Sequence, residues 1–195
     1  MAQTERKTQD KRVIRTKKAI RNAFSELISG KDLNDITVKD LADKANINRK
    51  TFYNYYSGIY QVVEELEREL VNGFEKALSD IDMKKCMTDP RVIFDRIDAL
   101  ILGDIEFYGN IFTAVENFNL ITKMTALIKE KTKRAICSQL GLGEDKADIA
   151  LEFVISGMIS AYQMWFRSDR TRPLSDVSDI VGALSFHGLY GLLNS

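Results

Sequence analysis

Between its helix-breaking residues this chain repeats apolar side chains at the α-helical period from end to end, which restricts the fold to a packing of helices. Proline occurs only at Pro90 and Pro173 in 195 residues, so few points force the backbone out of helix. The spacing predicts a first helix over 11–29 with Ala19, Ile20, Ala23, Phe24 and Leu27 inward, stopping at Gly30. A pair of short helices follows over 37–56. After the Ser57-Gly58 break comes a longer helix over 59–79, carrying Val62, Val63, Leu66, Leu70 and Phe74. Asp89-Pro90 reads as a cap followed by proline in the first turn, opening a helix through Ile93, Phe94, Ile97, Leu100 and Ile101. An irregular passage is expected around Tyr108-Gly109-Asn110 before a brief helix. Further helices are expected over 119–140, 144–168 and 175–193, with Gly141 and Gly143 between the first two. The expected fold is all-α, with residues 1–58 forming an N-terminal three-helix module and arm. Residues 59–195 then form a second helical domain reached through the 59–79 helix.

The catalytic repertoire is thin. One histidine, His187, and two separated cysteines, Cys86 and Cys137, offer little for nucleophilic or metal chemistry, and His187 reads as a helical core residue. There is no glycine-rich phosphate loop, no His-Glu-x-x-His and no Cys-x-x-Cys. Asp95, Asp98 and Asp104 read as solvated helix-face carboxylates. No catalytic residue, metal or cofactor is expected, and an enzyme is the least favoured class. Two cysteines without a framework suit a reducing cytoplasm. The polar start of the chain resembles no export signal, and no window reads as the ~18 apolar residues of a membrane span. Residues 1–11 read as an unstructured arm.

Net charge is zero, yet its distribution is uneven. Residues 1–60 hold 13 Lys and Arg against 7 Asp and Glu, whereas residues 61–195 hold 15 against 21. A basic end on a neutral chain suits a protein that presents that end to a polyanion.

Within the basic end, TVKDLADKANINRKTFYNYY reads as two helices joined by a tight turn. Thr37 and Asp40 form a capping-box pair at the start of the first, with Val38, Leu41, Ala42 and Ala45 on one face. Asn48 is a favoured cap for the second, which runs about two turns to Tyr56. Rotation by about 100° per residue puts Phe52 and Tyr56 beside Ile47 on the buried side. Lys50 and Asn54 then point outward, with Arg49 and Tyr53 along one edge and Thr51 and Tyr55 along the other. Cations, phenols, an amide and a hydroxyl on two turns are the mixture that major-groove reading needs. Amides and forked or pointed donors meet base edges, while hydroxyls and cations meet phosphates.

These residues carry a family resemblance. The run over 16–66, with Ile36-Thr37-Val38 entering the second helix, Leu41-Ala42 within it and the Thr51-Phe52-Tyr53-x-Tyr55-Tyr56 signature, resembles the DNA-binding domain of the tetracycline-repressor (TetR) family of bacterial transcription regulators. The resemblance implies DNA contact by Thr37, Lys39, Asn48, Arg49, Lys50, Thr51, Tyr53, Asn54 and Tyr55. It departs at Ile59, where many relatives carry a lysine that touches phosphate. It further implies a cytoplasmic homodimer on a palindromic double-stranded operator, most simply a repressor released by a small-molecule effector. A ligand- or partner-dependent activator, or a DNA-bound adaptor without a ligand site, uses the same parts.

The second domain offers two features. Small residues recur at Ala150, Ser156, Gly157, Ser160 and Ala161, then Gly182, Ala183 and Gly188. They suit close packing within the chain or pairing of two copies, the latter through Gly157, Ala161, Ala183 and Gly188. Phe107, Tyr108, Phe112, Phe118, Met158, Tyr162 and Trp165 suit an adaptable ligand cavity, and they suit an ordinary core equally well.

Overall fold

The computed structural model of the chain describes residues 2–114 and 120–194, with side chains for 11–114, 121–123 and 125–194. Among these residues the fold is all-α, with no strand. The helices are α1 (Ala2–Ile28), α2 (Val38–Lys44), α3 (Arg49–Tyr53), α4 (Ile59–Ala77) and α5 (Met83–Thr88). They continue with α6 (Arg91–Leu102), α7 (Ile105–Thr113), α8 (Leu120–Leu140), α9 (Glu144–Arg167) and α10 (Leu174–Leu193), and a 3-10 turn over Leu33–Asp35 leads into α2. Two compact units result, one of residues up to Arg68 together with Ala114, the other of Glu69–Thr113 and the described residues from Leu120 onward, so α4 contributes to both. The helix is continuous because its apolar stripe is continuous: Val62, Val63 and Leu66 are buried before Glu69, Leu70 and Phe74 after it.

In the first unit α1 is longer than the apolar period requires, starting at Ala2 where an unstructured arm was expected. Its buried Ile20, Ala23 and Phe24 share a core with Leu41, Ala42, Phe52, Tyr56 and Leu66. Lys17 ties α1 to α4, with Nζ 2.7 Å from Glu65 Oε2 and 5.2 Å from the Tyr56 ring centre.

The second unit departs from the sequence reading at instructive points. Helix α5, not expected, is started by the Asp82 carboxylate, which accepts from the Lys84 and Lys85 amides. Gln139 of α8 pins the same turn, accepting from Met83 N at 2.7 Å and donating to Ile81 O at 3.0 Å. Asp89 accepts from the Arg91 amide across Pro90, so the expected cap operates two residues ahead of the first helical position, and Pro90 stands at the N-cap and not inside the helix. Helix α7 runs unbroken through Tyr108-Gly109-Asn110. Gly109 serves close approach there and does not break the helix, for a Cβ at that position would lie 3.1 Å from the Phe166 ring of α9.

Helix α9 packs against α7, α8 and α10, and α10 against α6. Contrary to the sequence reading, α9 is long and apolar enough by composition to cross a membrane. The reason is visible in its two faces: Leu151, Ile155, Tyr162 and Trp165 are buried, while Ile149, Phe153 and Met164 are apolar and exposed.

Candidate nucleic-acid interface

The geometry of the second and third helices starts with their caps. Thr37 Oγ1 accepts from the Asp40 amide at 3.1 Å, and the Asp40 carboxylate accepts from Thr37 N at 2.9 Å and from Thr37 Oγ1 at 2.8 Å. The same carboxylate meets Lys31 Nζ at 3.0 Å. The hydrogen bonds from Thr37 and the Lys31 ammonium bring its pKa down to about 2. Asn46 turns the chain with a positive φ of 53°, a conformation asparagine tolerates better than most residues. Asn48 Oδ1 then accepts from the Thr51 amide at 2.7 Å and from Thr51 Oγ1 at 3.0 Å. Two of the residues expected at DNA, Asn48 and Thr51, are therefore locked to each other as a helix cap, which leaves the Asn48 amide nitrogen directed elsewhere.

The regular helix ends at Tyr53, shorter than the two turns expected, because Asn54 and Tyr55 close the last turn with bonds to Lys50, Thr51 and Phe52 carbonyls. The sidedness is nonetheless as the period requires. Phe52 and Tyr56 are buried with ring centres 5.6 Å apart, whereas Arg49, Lys50, Tyr53 and Asn54 are exposed and Thr51 and Tyr55 half-buried. Tyr53 stands 58% exposed, far out for an aromatic side chain. Lys39 and Thr37 are exposed on α2.

The cations of this unit sort into two classes that the sequence does not distinguish. Lys17, Lys31 and Lys44 are neutralised by Glu65, Asp40 and Glu26. Lys11, Arg12, Arg15, Lys18, Lys39, Arg49 and Lys50 have no carboxylate partner among the described residues. Lys11, Arg15 and Lys18 share one face of α1 at helical spacing. Tyr60, 67% exposed in the first turn of α4, is a further outward phenol that the α4 period made legible, since it lies off the Val62 and Leu66 face.

The residues expected around a ligand are brought only partly together. Phe112, Met158 and Tyr162 face a shared void with Ile97 and Ile101, but its volume is about 10 Å³, room for one water molecule. Phe112 also stacks on Phe166, with ring centres 5.4 Å apart. Phe107 and Tyr108 pack on each other, and Tyr108 packs edge-on against Phe74, which lines the void while Phe107 and Tyr108 do not. Trp165 donates from Nε1 to Arg172 O at 2.7 Å. Phe118 lies outside the described residues. The Tyr162 hydroxyl shares a hydrogen bond with Ser178 Oγ at 2.9 Å, and Ser178 donates to Asp98 Oδ1 at 2.6 Å. Asp98 is thus buried, not solvated as read from its helix position, and burial raises its pKa. Burial likewise raises that of Tyr162.

The small residues divide between the two readings. Gly182 is internal, since a Cβ there would lie 3.0 Å from Pro90 Cβ and 3.1 Å from the Phe94 ring. Gly157 and Gly188 have open space where a Cβ would stand, and Ala183 is exposed with Ala161 half-buried. Around them lie Phe153, 81% exposed, and Leu184, 72% exposed, with Ile149, Met164, Ile180 and Tyr190. His187 also faces outward, not into the core, because the buried register of α10 runs through Val181, Ser185, Phe186 and Leu189. No metal-binding group of three or more His, Cys, Asp or Glu occurs among the described residues.

No known protein-family model matches the chain. Over 61 residues it is 35% identical to YxbF of Bacillus subtilis (strain 168), an uncharacterized HTH-type transcriptional regulator. The match covers 31% of this chain and 16% of that protein's length. The chain is therefore similar, in part, to a helix-turn-helix transcription regulator.

Proposed function

We propose that the chain is a sequence-specific DNA-binding transcription regulator of the TetR type. It acts in the cytoplasm as a homodimer on a palindromic operator, without catalysis of its own. The observation that carries this reading is the exposed, ion-pair-free surface of Arg49, Lys50, Tyr53 and Asn54 on a helix capped at its start by Asn48. The partial similarity to an HTH-type regulator supports the same class. Two copies of α3 enter successive major grooves about one helical turn, roughly 34 Å, apart. Pairing of two chains is supported by the exposed apolar surface of α9 and α10, larger than scattered single residues account for. Repression relieved by a small molecule requires an effector with unequal affinity for the DNA-competent and DNA-incompetent states. The filled space behind Tyr162 favours a second reading, in which the DNA-bound dimer recruits a protein and has no ligand there.

Selection of bound duplexes from a random pool, followed by titration of the enriched and a scrambled sequence, tests the proposal. Lys50→Ala should alter sequence preference, by about 1 to 3 kcal/mol for a well-made base contact. Tyr53→Phe should weaken both duplexes alike. If no sequence is enriched, or neither change affects binding, α3 is not a reading helix.

A further inference from the structure

We infer that the recess between α5, α6 and α10 is a binding site for a compact organic cation. Its volume is about 230 Å³, and its walls include the rings of Phe94 and Phe186. That is less than the roughly 300 to 1,000 Å³ of most drug-sized pockets, so a small headgroup fits and an extended molecule does not. Gly182 fixes one wall by letting α10 approach Pro90 and Phe94 at the separations given above.

The charge around the recess is one-sided. Arg91 is its guanidinium, and that group already bonds both Asp95 and Asp179. Asp98 lies one hydrogen bond behind the wall residue Ser178, and its donors are Ser178 and Tyr162, with no lysine or arginine bonded to it. Of the three carboxylates nearby, Asp179 alone is in the wall, Asp95 shares the Arg91 guanidinium from outside the lining, and Asp98 stands behind Ser178. A buried carboxylate without a bonded cation is expensive to keep ionised, and a cation in the recess lowers that cost. Aromatic faces attract cations further, most strongly where water is displaced. An anion meets the opposite situation, because it must break the Arg91 pairs and then sit against Asp179. A neutral ligand leaves the imbalance as it stands.

That such a cation acts as an effector rests on the regulator reading, but its binding does not. Choline, its uncharged carbon isostere dimethylbutanol and the anion dimethylbutyrate are probes of matched size, titrated into the full chain without DNA. His187, the chain's one histidine, lines the recess and gives a single imidazole signal for NMR detection. Choline should shift it saturably and bind at least tenfold more tightly than either other probe. Asp98→Asn and Asp179→Asn should each weaken choline about tenfold at low salt, with helical circular dichroism unchanged; Asp179, being exposed, decides should Asp98→Asn unfold. Equal binding of dimethylbutanol, tighter binding of dimethylbutyrate, unaffected binding in the Asp179 variant or no response to choline overturns the site. Operator binding by the same preparation, measured separately, distinguishes that failure from a failure of the regulator reading.

Discussion

Thr37 and Asp40 show how much of the reading helix's placement rests on single residues. Two hydrogen bonds from Thr37, together with Lys31, hold the Asp40 carboxylate, which depresses its pKa from the ordinary 3.8 to about 2. A carboxylate with a lowered folded pKa adds stability that is present above its unfolded pKa and is lost as pH falls through the folded one. Acid should therefore loosen the start of α2 between about pH 4 and pH 2. Asp40→Asn should flatten this part of the acid unfolding curve, and identical curves for the two proteins would refute the assignment. Thr37→Ala should cost about 1 kcal/mol at neutral pH, measured by urea unfolding. Asp40→Asn leaves the exposed surface of α3 untouched, so any loss of DNA binding it brings should follow stability and leave sequence preference unaltered, whereas Thr37 is itself among the residues expected at DNA and its replacement should weaken binding beyond the stability loss.

At the level of elements, identical substitutions at two glycines have opposite expected signs. Alanine is the better helix former by about 1 kcal/mol, so Gly157→Ala, with open space for its methyl group, should stabilise dilute protein. Gly182→Ala drives the methyl to 3.0 Å from Pro90 Cβ and should destabilise by about 1 kcal/mol or more, as overpacking does. Urea unfolding of both variants checks the pair, and equal signs would mean that the α6 and α10 contact yields freely.

These glycines also show where the sequence was legible and where it was not. Helix periods and caps act within a few residues, so α2, α3, α9 and α10 were readable, and with them the sidedness of Phe52 against Lys50. What a glycine meets is decided by another helix: Gly109 looked like a breaker until Phe166 was placed over it. Asp98 looked solvated for the same reason, since its partner Ser178 is 80 residues away. Helix α5 depends on Gln139 of α8, which no local pattern announces. The sorting of free from neutralised lysines likewise required knowing that Lys44 meets Glu26.

For the whole molecule, the proposed pairing and the proposed DNA contact make separate predictions. Phe153→Glu and Leu184→Glu alter exposed side chains, so each should leave the helical content intact while preventing dimers in sedimentation at micromolar concentration. A wild-type protein that sediments as a monomer with and without operator would end the dimer reading. The α1 cations supply a second test. If Lys11, Arg15 and Lys18 touch phosphate, their replacement by Gln should lower the slope of log affinity against log salt by about 0.9 per contact, equally for operator and scrambled DNA. An unchanged slope would assign them to solvent.

The chain's one tryptophan has a use beyond its packing. Trp165 is buried in the second unit and bonded to Arg172, whereas the aromatic residues of the first unit are phenylalanine and tyrosine alone. Selective excitation of indole therefore makes the second unit luminous and the first one dark. A melt followed by tryptophan emission records one unit, the same melt followed by circular dichroism records both, and any gap between the two curves measures how independently the reading end comes apart.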